Sequence, residues 1–289
     1  MVFGRTDLAF EVNERYMKEH APDGVPDGVL TEREDYDSLW ISRIKIKNEN
    51  GSKTLGRPIG NYITIHVPGI RYDNSAYEAA SKTIAKEIRS LANISNDDKV
   101  LVAGLGNREV TPDALGHEVI SRVLVTNHIK SQQPELLGDN FGSVSAIAPG
   151  VLGITGIESA DIIKSVCKHL KPAAVIVVDA LAAADFERIS TTFQICDTGI
   201  QPGAGVGNNR SEVNEHTLGA KVIAIGVPTV IDAKNLMDNN TAGRETAPLM
   251  VTPRDIDLVI KRAAMTIAGG INLAFHRDIS LEEINELTG

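Results

Sequence analysis

Two aspartates stand out because of the residues that lead up to them. Asp113 closes the stretch VAGLGNREVTPD, an apolar run followed by a glycine turn, and Asp179 directly follows AAVIVV. A carboxylate at the end of an apolar strand enters a dry environment in which its charged form is poorly solvated. With Thr111 as an N-cap and Pro112 as the first helical residue, Asp113 takes the second position of a helix, near the positive end of its dipole. Two carboxylates held close together cannot both ionise, so they share one proton. One member then acts as base toward a water and the other as acid toward a leaving amine, which is the chemistry of amide hydrolysis. Each aspartate also has a plain structural use, Asp113 as a helix-start residue and Asp179 as a polar strand end.

Other chemistry-bearing groups are weaker. The loop DTGIQPGAGVGNNR (Asp197–Arg210) carries Gly199, Gly203, Gly205 and Gly207. Such a loop can bring backbone N–H groups to a substrate carbonyl, which makes Asp197, Gly203, Gly205 and Asn208 candidate substrate-binding residues. The GLGN of Gly104–Asn107 lacks the spacing of a dinucleotide or phosphate loop and reads as a tight turn. The seven histidines show no zinc spacing, though His117 and His216 remain candidate ligands. Cys167 and Cys196 are two isolated thiols, which form neither a disulfide framework nor a metal set.

The elements that must position these groups follow a rhythm. Apolar runs at Lys99–Leu105, Ser143–Ala148, Ala173–Val178 and Lys221–Val227 read as strands, most of them buried on both faces. Tyr62–Val67 adds another, and Ser190–Ile195 alternates as an edge or half-exposed strand would. Helical spacing covers Ser75–Ala92 and Asp113–His128. A capping box from Thr155 to Glu158 opens a helix over Thr155–Leu170. A final helix spans Thr252–Phe275, with a break expected at Gly269–Gly270. Residues 1–60 look polar and irregular. Alternating strands and helices predict an α/β fold, with a mainly parallel sheet and helices on both faces. Ligands in such sheets bind beyond the carboxyl ends of the strands, where Asp113 and Asp179 fall.

The chain has 289 residues, a net charge of -9 and a pI near 5.3, so nothing electrostatic draws it to bare nucleic acid. The N-terminus lacks a signal-peptide core and no run of 18 apolar residues occurs, so a cytoplasmic protein without membrane partners is expected.

Several of these motifs resemble one family in the same order along the chain. VAGLGNREVTPDALG, APGVLGITGIESADII, VVDALAA, DTGIQPGAGVGNNR, VIAIGVPTVIDA and MVTPRDIDLVI are similar to the germination proteases of spore-forming bacteria. The resemblance implies an atypical aspartic endopeptidase that degrades small acid-soluble spore proteins at germination. It implies a three-layer α/β sandwich like that of hydrogenase maturation proteases, no cofactor, a location in the forespore or spore core, and a homotetramer. The family's two essential aspartates carry over onto Asp113 and Asp179. Its members are made as inactive precursors, cut after an acidic residue, and RTDLAFE (Arg5–Glu11) matches such a site between Asp7 and Leu8. That divides the chain into a leader, 1–7, and a protease domain, 8–289. The family's long segment between IGVPTV and MVTP is here reduced to Ile231–Met250. Two alternatives stand beside this reading: a metal-dependent maturation-type protease using His117 or His216, and a non-catalytic binding protein on the same fold.

Overall fold

The computed structural model describes residues 6–20, 26–207, 210–236 and 249–288. Ten helices are described: α1 (Ala9–His20), α2 (Glu49–Leu55), α3 (Asn74–Ala92), α4 (Leu115–Ile120), α5 (Asn127–Gln132), α6 (Leu152–Thr155), α7 (Ser159–Leu170), α8 (Glu215–Leu218), α9 (Ile256–Phe275) and α10 (Leu281–Thr288). Nine strands are β1 (Val29–Asp35), β2 (Trp40–Ile46), β3 (Gly60–His66), β4 (Lys99–Gly104), β5 (Ser143–Ile147), β6 (Ala174–Ala183), β7 (Thr192–Cys196), β8 (Lys221–Asp232) and β9 (Met250–Val251).

One sheet runs in the order β1-β2-β3-β7-β8-β6-β4-β5, with β9 against the end of β8. The half made of β5, β4, β6 and β8 is parallel. The other half, from β1 to β7, is antiparallel, and it joins the first where β7 meets β8. The sheet is thus mixed, with helices on both faces.

Alternation along each strand sorts the core into layers. Val100 and Val102 of β4, Ile176 and Val178 of β6, and Ile223 and Ile225 of β8 pack with α3, α4 and α9 on one face. The opposite face carries two separate clusters. Leu101, Ala103, Val175 and Val177 pack with Ile163 and Cys167 of α7 and Leu218 of α8. Ile44, Ile46, Tyr62 and Cys196 pack with Ala9 and Phe10 of α1 and Leu55 of α2. Sheet between these clusters is left to line a cleft.

Several elements differ from the sequence reading. The described part of residues 1–60 holds α1, β1, β2 and α2, hidden because β1 shows six exposed positions after Val29, five of them polar. The Thr192–Cys196 strand is buried throughout rather than half-exposed, since β3 and β8 flank it. The segment expected as one helix over Asp113–His128 is a 3-10 turn (Thr111–Asp113), then α4, then α5, because the chain turns after Ile120 to pass Val123 into the core. No capping box forms at Thr155. Its hydroxyl bonds Val151 and Ile157 carbonyls locally, and α7 starts at Ser159. The helix expected as the final one, α9, begins at Ile256, is followed by the further helix α10, and continues unbroken through Gly269 and Gly270, whose missing side chains admit Ile84, Ser81 and Tyr77 of α3. Long and apolar enough by composition to cross a bilayer, α9 has 72 % of its most apolar window buried inside the molecule.

Candidate active site

A cleft of about 1060 Å³ opens between the two clusters, lined among others by Asp7, Arg57, Asp113, Asp179, Gln194 and Gly205. It therefore brings together residues from both halves of the sheet.

Asp113 is the last residue of the 3-10 turn after β4, not the second residue of a longer helix. Its Oδ2 accepts the Asn107 N–H at 2.8 Å, so the GLGN turn aims the carboxylate. Burial raises its pKa, opposed by that N–H and by the nearby His117.

Asp179 lies inside β6 rather than after its end, because β8 stays paired with β6 as far as Ile231. The neighbour on the other side, β4, pairs only as far as Val178, so the edge of β6 opens to the cleft from Asp179 onward. The residue is 4 % exposed and its Oδ1 accepts the Ala180 N–H at 2.9 Å. Burial pushes its pKa well above the ordinary carboxylate range, and the charges of Asp113 and then Asp7 push it further. The two aspartates singled out from the sequence thus line one cleft, with the charge of Asp113 felt at Asp179.

The Thr6–Ala9 segment occupies that same cleft. Asp7 pairs with the open stretch of β6: its N–H donates to the Ala182 carbonyl (2.9 Å), and its Oδ2 accepts the Ala182 N–H (2.8 Å). The Gly205 N–H also donates to the Asp7 carboxylate. A Cβ on Gly205 would stand 2.1 Å from Asp7 Oδ2, so only glycine allows this approach. Burial raises the Asp7 pKa, while the two N–H groups and the positive charge of Arg57 oppose the rise. Arg57 Nη2 donates to the Thr6 carbonyl at 2.6 Å. Leu8 is fully buried against Leu181, Ala183 and Ile200. Gln194 spans the next bonds: Nε2 donates to the Asp7 carbonyl (2.9 Å) and Oε1 accepts the Ala9 N–H (2.7 Å).

The glycine loop meets the site through Gly205, and there it serves a carboxylate rather than the expected carbonyl. Gly203 opens the short turn that carries Gly205. The Asp197 carboxylate is taken up by Asn61, accepting its backbone N–H (2.8 Å) and its side-chain amide (2.5 Å), which ties β7 to β3. Asn208 lies outside the described residues. His216 of α8 lines the cleft, while the buried Nε2 of His117 on α4 has no hydrogen-bond partner. Among the described residues no three of His, Cys, Asp or Glu are grouped so as to hold a metal ion. Sequence reasoning missed Arg57 and Gln194. The only signal for Gln194 was a lone amide inside the otherwise apolar end of TTFQIC; Arg57 gave none.

The family model described as germination protease matches residues 6–242. A germination protease of Caldanaerobacter subterraneus is 42 % identical, over 98 % of this chain and 97 % of its own length. One from Clostridium perfringens is 39 % identical over 98 % of each. This chain belongs to the germination protease family.

The alignment to the Caldanaerobacter germination protease runs to 320 positions, so that relative carries residues which this 289-residue chain lacks. Among solved structures, the [NiFe] hydrogenase maturation protease HycI of Thermococcus kodakarensis is 19 % identical, over 64 % of this chain and 98 % of its own, with a TM-score of 0.39.

Proposed function

We propose that this chain is a self-processing spore endopeptidase that uses Asp113 and Asp179 as its acid–base pair. In this reading it removes residues 1–7 by cutting Asp7–Leu8, leaving 8–289 as the active domain. It then degrades small acid-soluble spore proteins, cutting after acidic residues. The observation that carries the reading is the Thr6–Ala9 segment, laid in the same cleft as two aspartates, Asp179 buried and Asp113 half-buried.

We assign the shared proton to Asp179, the more deeply buried of the two, where a charge is least well solvated, and the role of base to the half-buried Asp113. Asp113 takes a proton from water as the oxygen bonds to the scissile carbonyl carbon. Asp179 then delivers its proton to the amide nitrogen as the C–N bond breaks. The products are a carboxylate and a free amine. A site in the spore core and a tetrameric assembly rest on the family resemblance alone.

The test is intact-mass analysis of the purified full chain during incubation. Wild type loses residues 1–7 and then cuts a peptide containing T-E-I-A-S-E after glutamate. Asp113→Asn and Asp179→Asn keep their full mass with unchanged circular dichroism. Processing in either variant, or a peptide left whole by processed wild type, refutes the proposal.

A further inference from the structure

We propose that Gln194 is a further catalytic residue, the hydrogen-bond donor that stabilises the oxyanion formed at the scissile carbonyl. This inference rests on the reading of Asp7–Leu8 as the bond that is cut. If that bond is the scissile one, the Asp7 carbonyl is where negative charge develops, and Gln194 Nε2 already donates to it at 2.9 Å. The geometric requirement is a donor about 2.7–3.1 Å from where the oxyanion, rather than the ground-state oxygen, will sit, and the existing bond places Nε2 on that side of the carbonyl. The Oε1 end accepts the Ala9 N–H on the far side of the bond, which fixes which end of the amide faces the carbonyl.

Sheet register puts the donor opposite the acid. Gln194 pairs with Gly226 of β8, and Gly226 pairs in turn with Asp179 of β6. Residues paired across strands share a face, so Asp179 and Gln194 flank Gly226 on the cleft side. Two strand spacings separate their backbones by about 10 Å. Gly226 itself carries no side chain, and the Leu181 side chain takes the space over it, its Cγ 2.5 Å from where a Gly226 Cβ would stand.

The fold does not itself need this amide. Gln194 is 7 % exposed, and both of its side-chain hydrogen bonds go to the N-terminal segment, none to the sheet. Removal of residues 1–7 would take away the acceptor of Nε2 and leave that donor facing the cleft, held by β7 where an incoming substrate carbonyl can meet it. In the step itself, water oxygen bonds to the carbonyl carbon and the carbonyl π pair moves onto oxygen, where Nε2–H meets it. The pair returns as the C–N bond breaks and the leaving nitrogen takes a proton from the acid. Gln194 is neither protonated nor consumed.

The experiment follows self-cleavage of the full chain by intact mass, with wild type and Asp179→Asn alongside Gln194→Met and Gln194→Glu. Hydrogen exchange at the Ala9 amide reports whether the segment stays docked. Gln194→Met slows cleavage about 10²–10³-fold, the loss typical of one oxyanion donor. Gln194→Glu keeps the acceptor for Ala9, and so the docking, but loses the donor. Its cleavage rate relative to wild type recovers as pH falls, because a protonated carboxyl donates again. A folded, docked Gln194→Glu cutting at the wild-type rate at neutral pH overturns the inference, as does Gln194→Met within threefold of wild type. Wild type that never cuts after Asp7, or Asp179→Asn that does, fails the underlying reading and takes this one with it.

Discussion

The two halves of the sheet divide the labour of the cleft. The parallel half supplies the ionisable pair, Asp113 after β4 and Asp179 within β6. The antiparallel half and its connections supply neutral and cationic contacts to the bound segment: Gln194 on β7 and Arg57 ahead of β3. Their seam, between β7 and β8, is where strand direction reverses. Ligands in open α/β sheets favour such a switch in topology, because helices on either side splay apart there. Here the α7–α8 cluster and the α1–α2 cluster part in that way. The division is one of charge rather than of task, since Ala182 of β6 also holds Asp7, and mutations on each half test how far it extends to the proposed chemistry.

The largest effect belongs to the parallel half. Asp113→Asn or Asp179→Asn lowers the rate of self-cleavage by at least about 10³-fold, measured as a first-order loss of precursor mass. Loss of the Gln194 donor comes next and would show that the antiparallel half also enters the chemistry. Arg57→Gln should instead act on binding. Processed protein carrying it shows a KM for an acidic peptide raised about ten- to hundredfold with kcat little changed, in line with losing a hydrogen bond assisted by charge. A kcat loss equal to that of Gln194→Met would erase the distinction between the halves.

Acid–base linkage sharpens the comparison further. Asp7, Asp113 and Asp179 have folded-state pKa values raised above 3.8, and Glu11 above 4.5. The folded chain therefore binds more protons than the unfolded chain from the ordinary carboxyl range upward. Their contribution to stability is complete below the unfolded pKa values and is lost as pH rises through the folded ones. Melting temperature of the full-length chain should rise as pH falls from neutrality toward about 5, and Asp179→Asn should flatten that slope; an unchanged slope rejects the coupling. The smallest effect is expected at Asp197, whose carboxylate holds Asn61. Asp197→Ala should lower stability by about 1–3 kcal/mol in denaturant unfolding and leave the peptide kcat near wild type.

What could be read from the sequence follows the same division. Strands of the parallel half are continuous apolar runs, so AAVIVV and KVIAIGV announce themselves, and with them Asp113 and Asp179. The antiparallel half is written differently. β1 reads VLTERED, with every residue after Val29 exposed, and resembles a solvated charge run. Arg57 and Gln194 gain meaning only from the Thr6–Ala9 segment, more than forty residues from either in sequence and placed beside them only by folding. The expected break at Gly269–Gly270 failed for a related reason: glycine there answers the closeness of α3, which the local sequence does not display.

The outermost strand has a consequence of its own. Among the described residues no strand pairs with the outer edge of β1, the first strand of an open sheet. Glu32, Arg33, Glu34 and Asp35 stand along it, three acids and one base. Charged side chains along an edge strand disfavour its pairing with the edge of a second sheet. The charges that hid the strand from a reader of the sequence thus protect the open sheet against runaway stacking with its own copies.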